Sequence, residues 1–315
     1  MQSILFPGQG SQVVGMGSEF YQNFDIVKKI FSQADDKLKF PLSKLILEGP
    51  EDKLQLTENT QPAILTVSYS IYKILIEEFN FNVQPIRYFA GHSLGEYSAL
   101  VCSGSLNFED ALYLLNERGK AMQKAVPLGE GSMIAVLGAK IDLIRNLLAK
   151  ISEENKKNVC EIANDNAEGQ IILSGDVKGI EICKKLLKEK KIKSIPLKVS
   201  APFHCSLMKS AANEMREKIL NTNFNNLSVE VISNVTAKPE KNIESIKKLL
   251  IEQIYTTVRW RESLIKMYKD GNENFIEIGP GKVLSGMVKR TIENVKCFSI
   301  NSIADIKNLT DEFKK

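Results

Sequence analysis

Residues 89–100 read F-A-G-H-S-L-G-E-Y-S-A-L, and Ser93 stands between two glycines in a G-x-S-x-G. An apolar, strand-like run (86–91) leads into it and a helical run (95–103) leads out. That is the layout of a nucleophile elbow: a strand turns sharply into a helix, glycines tolerate the crowding, and the serine hydroxyl stands clear of the sheet. The rival reading is a turn without chemistry. The strand before and the helix after weigh towards the nucleophile.

A serine hydroxyl is a poor nucleophile at neutral pH and needs a base. The chain has two histidines, His92 and His204. His92 neighbours Ser93, so its side chain should project away and serve as a packed or hydrogen-bonded neighbour. His204, in K-V-S-A-P-F-H-C, is the remaining candidate. No acidic residue stands out in a strand-end loop of the large domain between positions 93 and 204, so a group other than a carboxylate is left to orient the imidazole. In the next helix, Ala111, Leu115, Arg118, Met122 and Ala125 form one apolar stripe. A guanidinium there is costly without an anionic partner. It is either one half of an internal salt bridge or a cradle for a substrate carboxylate.

Along the chain, residues 2–6 read as a strand, 61–79 as a long helix and 108–125 as a helix capped by Asn107. The rhythm then changes. Strand (132–139), helix (141–155), strand (159–164), a turn-rich D-N-A-E-G, strand (170–175), helix (177–190) and strand (194–199) give a ferredoxin-like order. A helix at 206–220, a strand at 227–233, helices at 243–255 and 260–270, a strand at 275–279 and a final helix at 282–293 follow.

With 315 residues, 43% hydrophobic and 25% charged, the chain suits an ordinary globular protein of one large core or two linked ones. A net charge of +4 does not mark a nucleic-acid binder, and the lysines at 184–193 read as a solvated helix face. Five cysteines without a C-x-x-C argue for reduced thiols, and two histidines argue against a multi-histidine metal centre. The N-terminus reads as a first strand and not as a signal peptide, and no apolar run reaches membrane length. A cytoplasmic location is expected.

FPGQGSQ (6–12), TENTQPA (57–63), GHSLGEYSAL (91–100), R-G-x-x-M (118–122), APFHC (201–205) and EIGPGKVLSGMVKR (277–290) occur in order and in register over essentially the whole chain. Together they resemble the malonyl-CoA:acyl carrier protein transacylase family. The resemblance implies an α/β fold. A hydrolase-like large domain with a parallel-sheet core (1–128 and 199–315) would hold an inserted ferredoxin-like small domain (129–198), with the active site between them. It also implies roles. Ser93 would accept the acyl group, His204 would be its base, and the backbone N–H groups of Gln9 and Leu94 would form an oxyanion hole. Arg118 would grip the free carboxylate of malonate, with Met122 on the same helix face. The Gln253 carbonyl would steer the histidine. Phe203 would oppose a methylmalonyl methyl, and Asn166 would lie near the cleft.

The implied reaction is ping-pong transfer from malonyl-CoA to acyl carrier protein for fatty-acid elongation. No cofactor, metal, nucleic acid or membrane is implied, and a monomer is expected. Two competing readings share the serine: an esterase or thioesterase of the same fold, and an acyltransferase serving a polyketide assembly line. The lack of any fused ketosynthase or carrier segment favours a discrete housekeeping enzyme. A nucleotide-binding module is disfavoured, because GQGSQV lacks the third glycine of G-x-G-x-x-G and Gly281-Lys282 lacks the spacing of a P-loop.

Overall fold

The computed structural model describes residues 1–154, 157–197, 199 and 201–313. Among the described residues ten strands build two sheets: β1 (Gln2–Phe6), β2 (Ile86–Gly91), β3 (Gly131–Leu137), β4 (Cys160–Ala167), β5 (Gln170–Asp176), β6 (Lys193–Pro196), β7 (Glu230–Ile232), β8 (Pro239–Glu240), β9 (Asn274–Ile278) and β10 (Lys296–Ile300). The larger sheet has the order β10-β9-β1-β2-β7-β8, parallel except for β8. Its central strands are buried on both faces, as a parallel sheet requires. Ile4, Phe6 and Phe89 enter one core, and Leu5, Tyr88 and Ala90 enter the other. The Thr57–Glu77 helix covers the first face. The Trp260–Lys269 and Val283–Thr291 helices cover the second.

The smaller sheet is antiparallel with the order β4-β5-β3-β6. Counted along its own segment this is 2-3-1-4, the ferredoxin-like order that the strand–helix rhythm led us to expect. Period-two alternation sorts its side chains. Ile134, Val136, Ile171 and Leu173 pack under the Ile141–Glu154 and Val177–Glu189 helices. Met133 and Ile172 face the opposite way, into the core of the larger sheet. The face turned away from those two helices therefore becomes a wall against the larger part of the fold. The end of β4 anchors it. The Asp165 N–H donates to Val258 O (3.0 Å), and the Val258 N–H donates to Ala163 O (2.8 Å). Arg261 grips the Asp165 carboxylate with Nε and Nη2, each 2.9 Å from one oxygen.

Several expected boundaries move. The long helix begins at Thr57, four residues before the expected start, and carries Pro62 inside it. Pro62 has no N–H for the Glu58 carbonyl, and Asn116 Nδ2 takes that place at 3.0 Å. Within DNAEG only Glu168 and Gly169 turn, because β4 runs on through Asn166. The expected strand at 227–233 shrinks to three residues. The helix at 282–293 is not the last element: β10 and the Ile303–Phe313 helix follow it. Residues 155 and 198, at the expected ends of a helix and of the inserted segment, lie outside the described residues.

The Thr57–Glu77 and Phe108–Lys124 helices cross closely at Gly119, where an added Cβ would come within 2.5 Å of Glu58 Cα. Alanine in a helix interior usually gains up to about 1 kcal/mol over glycine. Here the clash wins, and Gly119→Ala should lower stability by about 1–3 kcal/mol. Thermal melting checks this. An unchanged or raised midpoint would contradict the close crossing.

Candidate active site

Ser93 sits between β2 and the Gly95–Cys102 helix with φ 54°, a left-handed value that is uncommon without glycine. The flanking glycines serve close packing. A Cβ on Gly91 would lie 1.9 Å from Gly95 C, and one on Gly95 would lie 2.2 Å from Phe6 O. Neighbouring side chains hold the bend. The Ser93 N–H donates to Asn234 Oδ1 (2.7 Å), Asn234 Nδ2 donates to Gly91 O (2.7 Å), and Gln253 Nε2 donates to Ser93 O (3.0 Å).

His204 also has a left-handed φ, 56°. Its Nε2 lies 2.8 Å from Ser93 Oγ, and its Nδ1 lies 2.8 Å from the Gln253 main-chain oxygen. A carbonyl can only accept, so Nδ1 carries the proton and Nε2 is the bare acceptor facing the serine. Burial, and then the nearby Arg118 charge, hold the imidazole pKa down at about 3. The ring is therefore neutral and able to take a proton. His92 points the other way, as expected: Nε2 lies 2.8 Å from Asn166 Oδ1 and the ring meets Trp260 edge-on. Two bulges in β4 turn Asn166 towards it.

Arg118 is 1% exposed. Nη1 donates to Gln61 Oε1 (2.8 Å), while Nη2 donates to Gln253 Oε1 (2.9 Å) and to Ser93 Oγ (3.2 Å). None of these partners is a carboxylate, so the salt-bridge alternative falls away. Nε is buried without a partner among the described residues. Neutral oxygens meet three of the guanidinium's five N–H donors and leave its charge in place.

The serine opens into a cleft of about 1090 Å³ whose lining includes Gln9, Leu94, Met122, Asn166, Phe203 and, from the small sheet, Met133 and Ile172. Among the described residues the backbone N–H groups of Gln9 and Leu94 have no acceptor. Leu94 caps the helix start, where the helix dipole favours negative charge. Phe203 directly precedes His204 in the cleft wall, and Met122 receives a long contact to its sulfur from Gln61 Nε2 (3.8 Å). Among the described residues no cluster of three or more His, Cys, Asp or Glu could hold a metal ion. No described helix is long and apolar enough to cross a membrane.

Sequence reasoning assigned no role to Gln61, Glu96 or Asn234. The first two lie inside the TENTQPA and GHSLGEYSAL motifs. The only signal for Asn234 is its position just past the C-terminal end of β7, where ligands of parallel sheets gather.

A family profile described as an acyl transferase domain matches residues 4–314. The malonyl CoA-acyl carrier protein transacylase of Bacillus subtilis (strain 168) is 45% identical over 300 residues, covering 95% of this chain and 93% of the relative. That of Haemophilus influenzae is 41% identical over 312 residues, covering 99% and 98%. The crystal structure of acyl-carrier-protein-S-malonyltransferase from Bartonella henselae superposes with TM-score 0.95 at 39% identity, covering 100% of this chain and 99% of the other. A malonyl-transacylase solved with a type II PKS acyl-carrier protein gives TM-score 0.94 at 35% identity, covering 99% of both chains. Likeness of this extent, in sequence and in form, means that the chain belongs to the acyl transferase family, among its malonyl CoA-acyl carrier protein transacylases.

Proposed function

We propose that the chain transfers a malonyl group from malonyl-CoA to the pantetheine thiol of acyl carrier protein, through a malonyl ester on Ser93. One observation carries this reading: a single hydroxyl is hydrogen-bonded both to a neutral imidazole at 2.8 Å and to a buried guanidinium at 3.2 Å. The first partner can take its proton. The second can bind the far end of a diacid, because the free carboxylate carbon lies two carbon–carbon bonds, about 2.5 Å, beyond the reacting carbonyl.

Ser93 Oγ attacks the thioester carbonyl as its proton moves to His204 Nε2. The tetrahedral oxyanion accepts from the Gln9 and Leu94 N–H groups, each worth about 3–4 kcal/mol in such a site. The carbon–sulfur bond breaks, and the departing thiolate takes the proton from His204. The carrier thiol then gives its proton to His204, attacks the ester and returns Ser93 to the hydroxyl form. This sequence balances without a metal or redox cofactor. A carboxylate on Arg118 also offsets the positive charge that disfavours an imidazolium at His204, so the correct substrate strengthens its own base. The Phe203 ring crowds the carbon that would carry the extra methyl of methylmalonate, and Met122 and Asn166 shape the cleft around the acyl group.

We read residues 129–198 as a domain inserted into 1–128 and 199–315. The separate sheet and its own core support this division. The chain is read as a monomer working in the cytoplasm and supplying fatty-acid elongation.

Incubation with malonyl-CoA followed by intact-protein mass spectrometry tests the covalent step. The native chain should gain one malonyl group and Ser93→Ala none. An adduct on Ser93→Ala would remove Ser93 from the mechanism. Arg118→Ala should lower the malonyl-to-acetyl ratio of single-turnover acylation rates on the order of 100-fold, the equivalent of losing about 3 kcal/mol of charge-assisted binding. A retained ratio would overturn the role of the arginine. Nitrogen NMR of the two histidines should find His204 neutral, with its proton on Nδ1, down to about pH 5. A midpoint near the ordinary 6.5 would contradict the suppressed imidazole.

A further inference from the structure

The steps above leave unused a buried acid beside the elbow. Glu96, in the first turn after the elbow, is 3% exposed. Its Oε2 accepts from the Asn234 N–H (3.0 Å) and from Gln253 Nε2 (2.8 Å). Gln253 is the residue on which the site converges. Its main-chain oxygen meets His204 Nδ1, and its Oε1 meets Arg118 Nη2.

A carboxamide has two unlike ends. In Gln253 the NH2 end faces three acceptors: the Glu96 carboxylate, the Ser93 carbonyl (3.0 Å) and Asn234 Oδ1 (3.3 Å). Turned over, the same amide would set its oxygen against those acceptors and its NH2 against the guanidinium. Glu96 supplies the shortest of the three contacts and the only ionisable acceptor. It also takes the Asn234 N–H, so it fixes both residues that hold the elbow. Glu96 makes no ion pair with Arg118 among the described residues. Burial raises its pKa to about 7, and its oxygens occupy none of the guanidinium donors that a substrate would use.

We propose that Glu96 is a positioning residue for malonyl recognition: its Oε2 sets the polarity of the Gln253 amide and thereby the aim of the Arg118 guanidinium at the acyl group on Ser93. This rests on the reading of Arg118 as the carboxylate anchor. The atom that matters is an acceptor and not a charge, because both donors reach the same oxygen. An amide oxygen can replace it and a methyl group cannot.

The test compares Glu96→Leu and Glu96→Gln in single-turnover acylation of Ser93 by malonyl-CoA and by acetyl-CoA, with the melting midpoint of each variant recorded. Glu96→Leu should lower the malonyl-to-acetyl rate ratio about tenfold, and Glu96→Gln should keep it within about twofold. If Glu96→Leu slows both substrates equally, the residue is only structural and the proposal fails. It also fails if Glu96→Gln loses as much selectivity as Glu96→Leu. Should Glu96→Leu not fold, Glu96→Asp withdraws the acceptor by about 1.5 Å and should lower the ratio likewise; an unchanged ratio there overturns the proposal. Arg118→Ala runs alongside. A native ratio in that variant overturns the arginine reading and this proposal together. A fallen ratio there, with an unchanged one in Glu96→Leu, overturns this proposal alone.

Discussion

Burying a guanidinium almost completely is expensive unless each of its donors is met. The usual remedy is a carboxylate, which cancels the charge. Arg118 instead receives the side-chain oxygens of Gln61 and Gln253 and the hydroxyl of Ser93. Three of its five N–H donors are met and its charge is not cancelled. A site built this way holds unspent attraction for an anion at one defined distance from the serine. The same charge helps to keep His204 unprotonated. The selectivity proposed for the acyl group and part of the suppression of the imidazolium thus trace to one side chain.

The rest of the fold brings that side chain to the serine. The close crossing at Gly119 sets the arginine helix against the helix that carries Gln61, and Asn116 satisfies the carbonyl that Pro62 leaves open. Gly91 and Gly95 let the elbow pack against the end of β1. The small sheet leaves one face uncovered by its own two helices, and Met133 and Ile172 on that face wall the cleft. The Asp165–Arg261 pair and the backbone exchange with Val258 tie that wall to the large sheet.

Much of this was legible in the sequence because its causes are local. The strand–Gly–x–Ser–x–Gly–helix order, the placing of Arg118 in an apolar stripe and each element of the small sheet's strand–helix rhythm are written in neighbouring residues. The pairing of Ser93 with His204 followed from a shortage of histidines, and the residue that orients the imidazole came from family resemblance. What could not be read was long-range. Asn234 holds the backbone of Ser93 from 141 residues away, and Glu96 looks like an ordinary acidic residue at a helix start until Gln253 folds onto it. β10, K-C-F-S-I, lies at the edge of the large sheet and alternates too weakly to declare itself. The expected strand around β7 was too long, because that segment pairs with β2 through only three residues.

The central claim is that the charge on Arg118 is reserved for the free carboxylate of the acyl group. A crystal structure of the malonyl-enzyme, trapped on Ser93 before any carrier protein is added, tests it most directly. The account predicts the malonyl carboxylate within hydrogen-bond distance of the Arg118 guanidinium, with at least one of the Gln61 and Gln253 contacts exchanged or shared. A malonyl ester whose carboxylate points away into solvent, with Arg118 still bound only to the two glutamines, would contradict it.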